Sequence, residues 1–262
     1  MLSILALAAA PPAEPPPPPD LEVPQQGAPP VLPIPGTCSP AKLVRLVVRN
    51  ISPGLAAGDP RAQPRVMYRR GATYLRSEEQ PDANRNGAKA VVIVAEPDAW
   101  AIDLSTRTGR HSIDRGPDFA VHAPILPLVQ DLPPVFKGLE FGCEASFVAA
   151  NAPQAQRTVP WGETLAALHS VTVGDQTVAL LMDSRRAEPL MVSYLRQGKA
   201  IWVVRYDEFR ADLPDRPDLF MPPKSVVIEE APAPGAAQPP QPTPPRMPAR
   251  PPSAAGPARP LS

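Results

Sequence analysis

The stretch Leu190 to Pro223, LMVSYLRQGKAIWVVRYDEFRADLPDRPDLFMPP, limits the possible folds more than any other. Two runs rich in β-branched and aromatic residues flank Gln197-Gly198, where glycine permits the positive φ of a tight hairpin turn. A two-residue turn there puts Met191, Ser193, Leu195, Ala200, Trp202, Val204 and Tyr206 on one face. Leu190, Val192, Tyr194, Ile201 and Val203 fall on the other. Neither face is polar enough for water, so the ribbon must be covered twice or line a cavity as well as a core.

Proline bounds the part of the chain that can fold. Residues 11–37 hold 12 prolines and residues 231–262 another 12, of 42 in the 262 residues. Every Phe, Trp and Tyr falls between 38 and 230. Pro-dense segments without aromatics bury too little apolar surface to offset the entropy of ordering. The expectation is one folded domain over 38–230, between a disordered linker (11–37) and a disordered Pro/Ala-rich tail (231–262). The arms are expected to act as extended spacers. The alternative is a structural or interaction module whose Pro-rich arms dock partner proteins, with the T-P-P-R and P-P-S-A-A-G-P pieces entering an aromatic-lined groove of an envelope partner. Lys and Arg number 26 and so do Asp and Glu, so no basic field is present to collect nucleic acid or anionic lipid.

The opening run Leu2 to Ala10 is apolar and ends in small residues, like the core and cleavage half of a secretory signal. Residues 1–10 are therefore expected to be a signal-peptide remnant, with a start upstream of Met1 because the basic leading region is missing. The other reading is a frayed apolar terminus. The run is too short to span a bilayer, so no transmembrane segment is expected. Cys38 and Cys143 are the two cysteines. In an exported, periplasmic protein they would pair, and in a reducing compartment they would be two buried thiols.

Along the chain, Lys42 to Arg49 reads as a strand, followed by Arg65–Arg69 and Thr73–Arg76 around Gly71 as a hairpin whose basic side chains form an outward, solvated row. KAVVIVA (89–95) and Trp100 to Leu104 are strands, and Thr108-Gly109 is a turn. Val121 to Gln130, broken by Pro124 and Pro127, is a kinked helix or a loop packed on the sheet. Val135 to Phe147 reads as a strand through Cys143, and Gly174-Asp175 as a hairpin turn. The short connections make this an antiparallel meander without parallel crossovers.

Taken together, the export signal, the meander, the late ribbon MVSYLRQGKAIWVVRYDEF and the exit DLFMPP resemble the periplasmic lipoprotein-carrier superfamily of LolA/LolB-like half-barrels. The resemblance covers roughly residues 40–225. It implies a mainly β protein: a strongly curved, open antiparallel sheet of about ten strands, with one to three short helices and a concave side that holds an acyl chain, a lipoprotein or another hydrophobic ligand. Trp202, Val204, Tyr206 and Trp100 would then line the concave wall. The resemblance also makes the chain a non-enzymatic, periplasmic or otherwise exported binder without a cofactor.

Catalytic patterns are weak. His111, His122 and His169 lie in different elements, and Asp212, Asp215 and Asp218 are separated by Pro214, Arg216 and Pro217, unlike a calcium loop. Ser39-Pro40-Ala41-Lys42 has the S-x-x-K spacing of serine acylases without the S-D-N and K-T-G partners that chemistry requires. The expectation is therefore no catalytic and no metal site. Trp202 and Tyr206 can equally be core residues.

Overall fold

The computed structural model describes residues 38–56 and 58–230. The segments expected to be a signal remnant (1–10), a linker (11–37) and a tail (231–262) lie outside the described residues. The described residues form an open, mainly β half-barrel of twelve strands. These are β1 (Leu43–Asn50), β2 (Arg65–Arg70), β3 (Tyr74–Glu78), β4 (Ala90–Ala95), β5 (Asp98–Asp103), β6 (Thr108–Ile113), β7 (Arg157–Trp161), β8 (Thr164–Val173), β9 (Gln176–Asp183), β10 (Pro189–Arg196), β11 (Lys199–Leu213) and β12 (Val227–Glu230). Their order is β12-β6-β5-β4-β3-β2-β1-β11-β10-β9-β8-β7, so β12 and β7 are the free edges. Pro160 lies in the edge strand β7, where a missing N–H breaks no inner ladder.

Two helices, α1 (Pro134–Lys137) and α2 (Glu144–Asn151), stand where the sequence suggests a strand from Val135 to Phe147. Pro134 opens α1 with its φ already set for a helix, and Gly142, at φ +86°, turns the chain into α2. Residues 121–148 lie across one face of the sheet. Val121, Ile125, Phe136, Leu139 and Phe147 share a core with Leu46, Met67, Leu75, Val178, Val192, Tyr194 and Val204. Leu75 is on β3 and Val178 on β9, five strand spacings apart, or roughly 24 Å if the sheet were flat. One short segment fills the space between them because the sheet curls around it.

The other face carries a second core of Leu43, Val91, Ile93, Ile102 and Phe220, packed with Trp100, Leu219, Val226 and Ile228. Its cover is the chain after β11, which crosses β3 and β4 and ends as β12. β12 pairs with β6 in parallel, the one departure from the antiparallel meander. The strand count exceeds the expected ten partly through this late addition. Thr108-Gly109, expected as a turn, belongs to β6, and the turn lies before it with Arg107 at φ +55°.

At the ribbon, Gln197 (φ +50°) and Gly198 (φ +74°) make the expected turn. The register differs from simple alternation. Leu195 pairs with Ala200 but Tyr194 with Trp202, so Ile201 is bulged out of the ladder. The bulge moves Val192 and Tyr194 onto the face of Trp202, Val204 and Tyr206, and leaves Met191 and Ser193 on the opposite one. Ile201 stays 45% exposed.

Candidate functional cleft

Residues 121–148 do not fill the covered face completely. Near the end of β1 a cleft of about 720 Å³ remains. Val48 of β1 and Trp202 and Val204 of β11 form its floor, and Pro124 to Leu128 with Phe141 form one wall. The Trp202 ring N–H donates to the Ile125 carbonyl at 2.8 Å, which fixes the indole and ties wall to floor. Leu128, on the same wall, is 90% exposed.

The opposite rim is polar but internally paired. Glu79 sits between Arg65 (3.2 Å) and Arg85 (2.8 Å), Arg85 also reaches Asp82 at 2.8 Å, and Arg61 pairs with Asp59 at 2.6 Å. Hydrogen bonds from Arg61 hold the Asp59 carboxyl below its usual range. Asn50, Gln63, Gln80 and Asn84 also line the cleft, beside its apolar floor and wall.

The four residues expected to line a ligand wall do not act together. Trp202 and Val204 line the cleft. Tyr206 lies on the same face but is buried behind it, its hydroxyl donating to Glu144 Oε1 at 2.6 Å. Trp100 is on the other face, paired with Ile93 and stacked on His111 at 5.2 Å. β5 alternates as expected; the face that its tryptophan takes is set by pairing with β4, which alternation alone does not specify.

What holds the cleft wall in place was not expected from sequence. Arg69, assigned to a solvated row, is 1% exposed because β2 alternation puts it on the face of Met67. Its guanidinium donates to Glu140 (2.7 Å) and to the carbonyls of Phe141 (3.0 Å), Val121 (2.7 Å) and Cys38 (3.2 Å). Glu140 also meets His122 Nδ1 at 2.8 Å. Glu144 accepts from the Gly142 N–H at 3.0 Å and from Tyr206, and its burial raises the carboxyl above its usual range. The Cys38–Cys143 disulfide is formed, tying the start of the domain to the residue before α2. The signal that could have found Arg69 is its two-residue spacing from Met67.

Residues with catalytic patterns are dispersed. His111 bonds Asp98 and Glu230, His122 bonds Glu140, and His169 meets the Ala152 carbonyl at 2.7 Å. Asp212, Asp215 and Asp218 pair separately with Lys42, Arg70 and Arg216. Ser39 is exposed on a non-helical lead rather than at a helix start, and Lys42 faces Asp212 at 3.6 Å. Among the described residues, no group of three or more His, Cys, Asp or Glu is placed to hold a metal ion, and no helix is long and apolar enough to cross a membrane.

No family model matches the chain, and no curated protein matches it. Similar solved structures include an uncharacterized conserved protein from Thermus thermophilus, at 13% identity and TM-score 0.41, over 73% of this chain and 91% of that one. Another is MucB of the Pseudomonas aeruginosa MucA/MucB complex, at 14% identity and TM-score 0.38, over 71% of this chain and 58% of that one. A third is the LolA superfamily protein NE2245 from Nitrosomonas europaea, at 12% identity and TM-score 0.30, over 72% of this chain and 92% of that one. A LolA superfamily member thus stands among the structures to which this chain is similar.

Proposed function

We propose that the chain is an exported, non-enzymatic binder that holds the apolar part of a small ligand, such as an acyl chain, in the cleft over Trp202. The carrying observation is a cleft in which half-buried Trp202 and exposed Leu128 present apolar surface over buried Val48, Val204, Ile125 and Leu126. Its volume of about 720 Å³ falls in the range of ordinary small-molecule sites, roughly 300–1,000 Å³. Leu128 projects its apolar surface into water, where an occupant would cover it at a gain of about 25 cal/mol per Å². The matched rim charges leave apolar burial as the main source of affinity. The disulfide supports export, since such bonds persist in oxidising compartments.

Displacement of a fluorescent fatty acid from the purified protein, with analysis of co-purifying lipid, tests the proposal. Saturable displacement that Leu128→Asp weakens without changing the melting temperature supports it. A folded protein that neither co-purifies with lipid nor binds the probe overturns it.

A further inference from the structure

The β6 edge, on the far side of the sheet from the cleft core, carries features of a built site. β12 is four residues long, and Val227 is 67% exposed. Its Ile228 lies opposite Gly109, the one glycine inside a strand of the described residues. A Cβ on Gly109 would stand 2.9 Å from both Ile228 Cδ1 and Ile102 Cγ1. The missing side chain therefore makes a notch through which an aliphatic residue on the neighbouring strand reaches Ile102 and the second core.

Two positions further on, Glu230 lies opposite His111. The imidazole contacts Glu230 through Nδ1 at 2.9 Å and Asp98 of β5 through Nε2 at 2.7 Å, while its ring stacks on Trp100. Neither carboxylate can donate, and a neutral imidazole has a single N–H, so only the imidazolium satisfies both. Glu96, nearby, lies within the electrostatic reach of both Asp98 and Asp114, so the surroundings of the ring are acidic. The edge thus offers three elements in fixed register: a strand ladder covered by β12 over four residues, an aliphatic notch and a cation two residues beyond it.

We propose that the β6 edge is an acceptor for an extended segment of a partner protein bearing an aliphatic-x-acidic pattern, and that β12 occupies this site in cis. Strand addition draws its affinity from main-chain hydrogen bonds and its selectivity from pockets for alternate side chains, and Gly109 and His111 supply those pockets. Glu230 of the resident strand matches the cationic position by charge. A partner must displace β12, so the resident strand sets a threshold for binding.

The test uses the full chain and a fluorescein-labelled peptide of residues 224–230, KSVVIEE, followed by anisotropy at about pH 6 and about pH 9, on either side of an ordinary histidine titration. Val227→Pro disables the resident strand by removing the N–H that donates to the Arg107 carbonyl at 2.9 Å, and Glu230→Gln, at a side chain 76% exposed, weakens it where the proline variant does not fold. Either variant, folded by circular dichroism, is expected to bind the peptide about tenfold more tightly than the unmodified chain, and more weakly at the higher pH. Adding Gly109→Val should abolish that binding. Failure of the folded variants to bind, or binding indifferent to Gly109→Val, overturns the proposal. A concentration-dependent dimer of the unmodified chain that Gly109→Val dissolves would assign the edge to a second copy and overturn it as well.

Discussion

Arg69 and Glu140 meet at 2.7 Å with side chains only 1% and 6% exposed, and this pair joins the sheet to the segment that forms the cleft wall. Arg69 also takes three backbone carbonyls from Cys38, Val121 and Phe141, so it organises chain that has no strand partner. Arg69→Met leaves Glu140 buried without its cation and is expected to cost about 3–5 kcal/mol, read by urea unfolding. Adding Glu140→Gln should recover part of the loss, with a coupling of roughly 1 kcal/mol or more. Strictly additive losses would show that the two side chains act separately.

Glu144 gives the fold a pH dependence of defined sign. Burial raises its folded-state carboxyl above 4.5, its ordinary value, so its contribution to stability is full below that value and is lost as pH rises through the raised folded value. Glu144→Gln removes that titration while retaining an oxygen for Tyr206 or Gly142. The melting temperature of the variant relative to the unmodified protein should therefore climb as pH rises above 4.5. A constant difference would mean that folding leaves the carboxyl's titration unchanged.

His111 carries the same sign at higher pH. Its hydrogen bonds to Glu230, and after them to Asp98, raise its folded titration against an opposing desolvation. Stabilisation from this bridge is full below the unfolded value of about 6.5 and is lost as pH rises through the raised folded value. Imidazole resonances should show His111 titrating above its ordinary range, and Glu230→Gln should bring it down. No movement on that substitution would show that β12 is not held by this contact.

The cross-link over the 105-residue separation of Cys38 and Cys143 restricts the unfolded chain. Replacing both by serine is expected to cost up to about 4–5 kcal/mol in the chain-entropy picture, measured as a lowered urea midpoint. A loss under roughly 1 kcal/mol would mean that strain or residual unfolded-state structure cancels the constraint.

Much of the sheet was legible because turns have chemical signatures. Gly198 and Gly174 take the positive φ their hairpins require, and the strands on either side run as read. Pairing of Cys38 with Cys143 was one of two readings open in the sequence, and the structure forms the bond. The ribbon's faces were not, because both are apolar and nothing in Tyr194-Leu195 or Ile201-Trp202 marks which residue the bulge ejects. Arg69 escaped because its charge suggests solvent, while its partner Glu140 lies 71 positions away. Trp100 was placed on a strand correctly but on the wrong side, since its face follows from pairing with Ile93. In the cleft, Trp202 and Val204 were readable as apolar ribbon residues, whereas Leu128 was hidden in a Pro-broken stretch with no periodicity.

Titration of the folded protein with a fluorescent fatty acid, following quenching of Trp202 and repeating with Leu128→Asp, addresses the cleft most directly. The expected result is saturable binding of one probe per chain, with affinity reduced about tenfold or more by the charge placed on the wall, since a buried unpaired carboxylate costs several kcal/mol. Binding of equal strength in both proteins, or none in either, would contradict a ligand seated between Trp202 and Leu128.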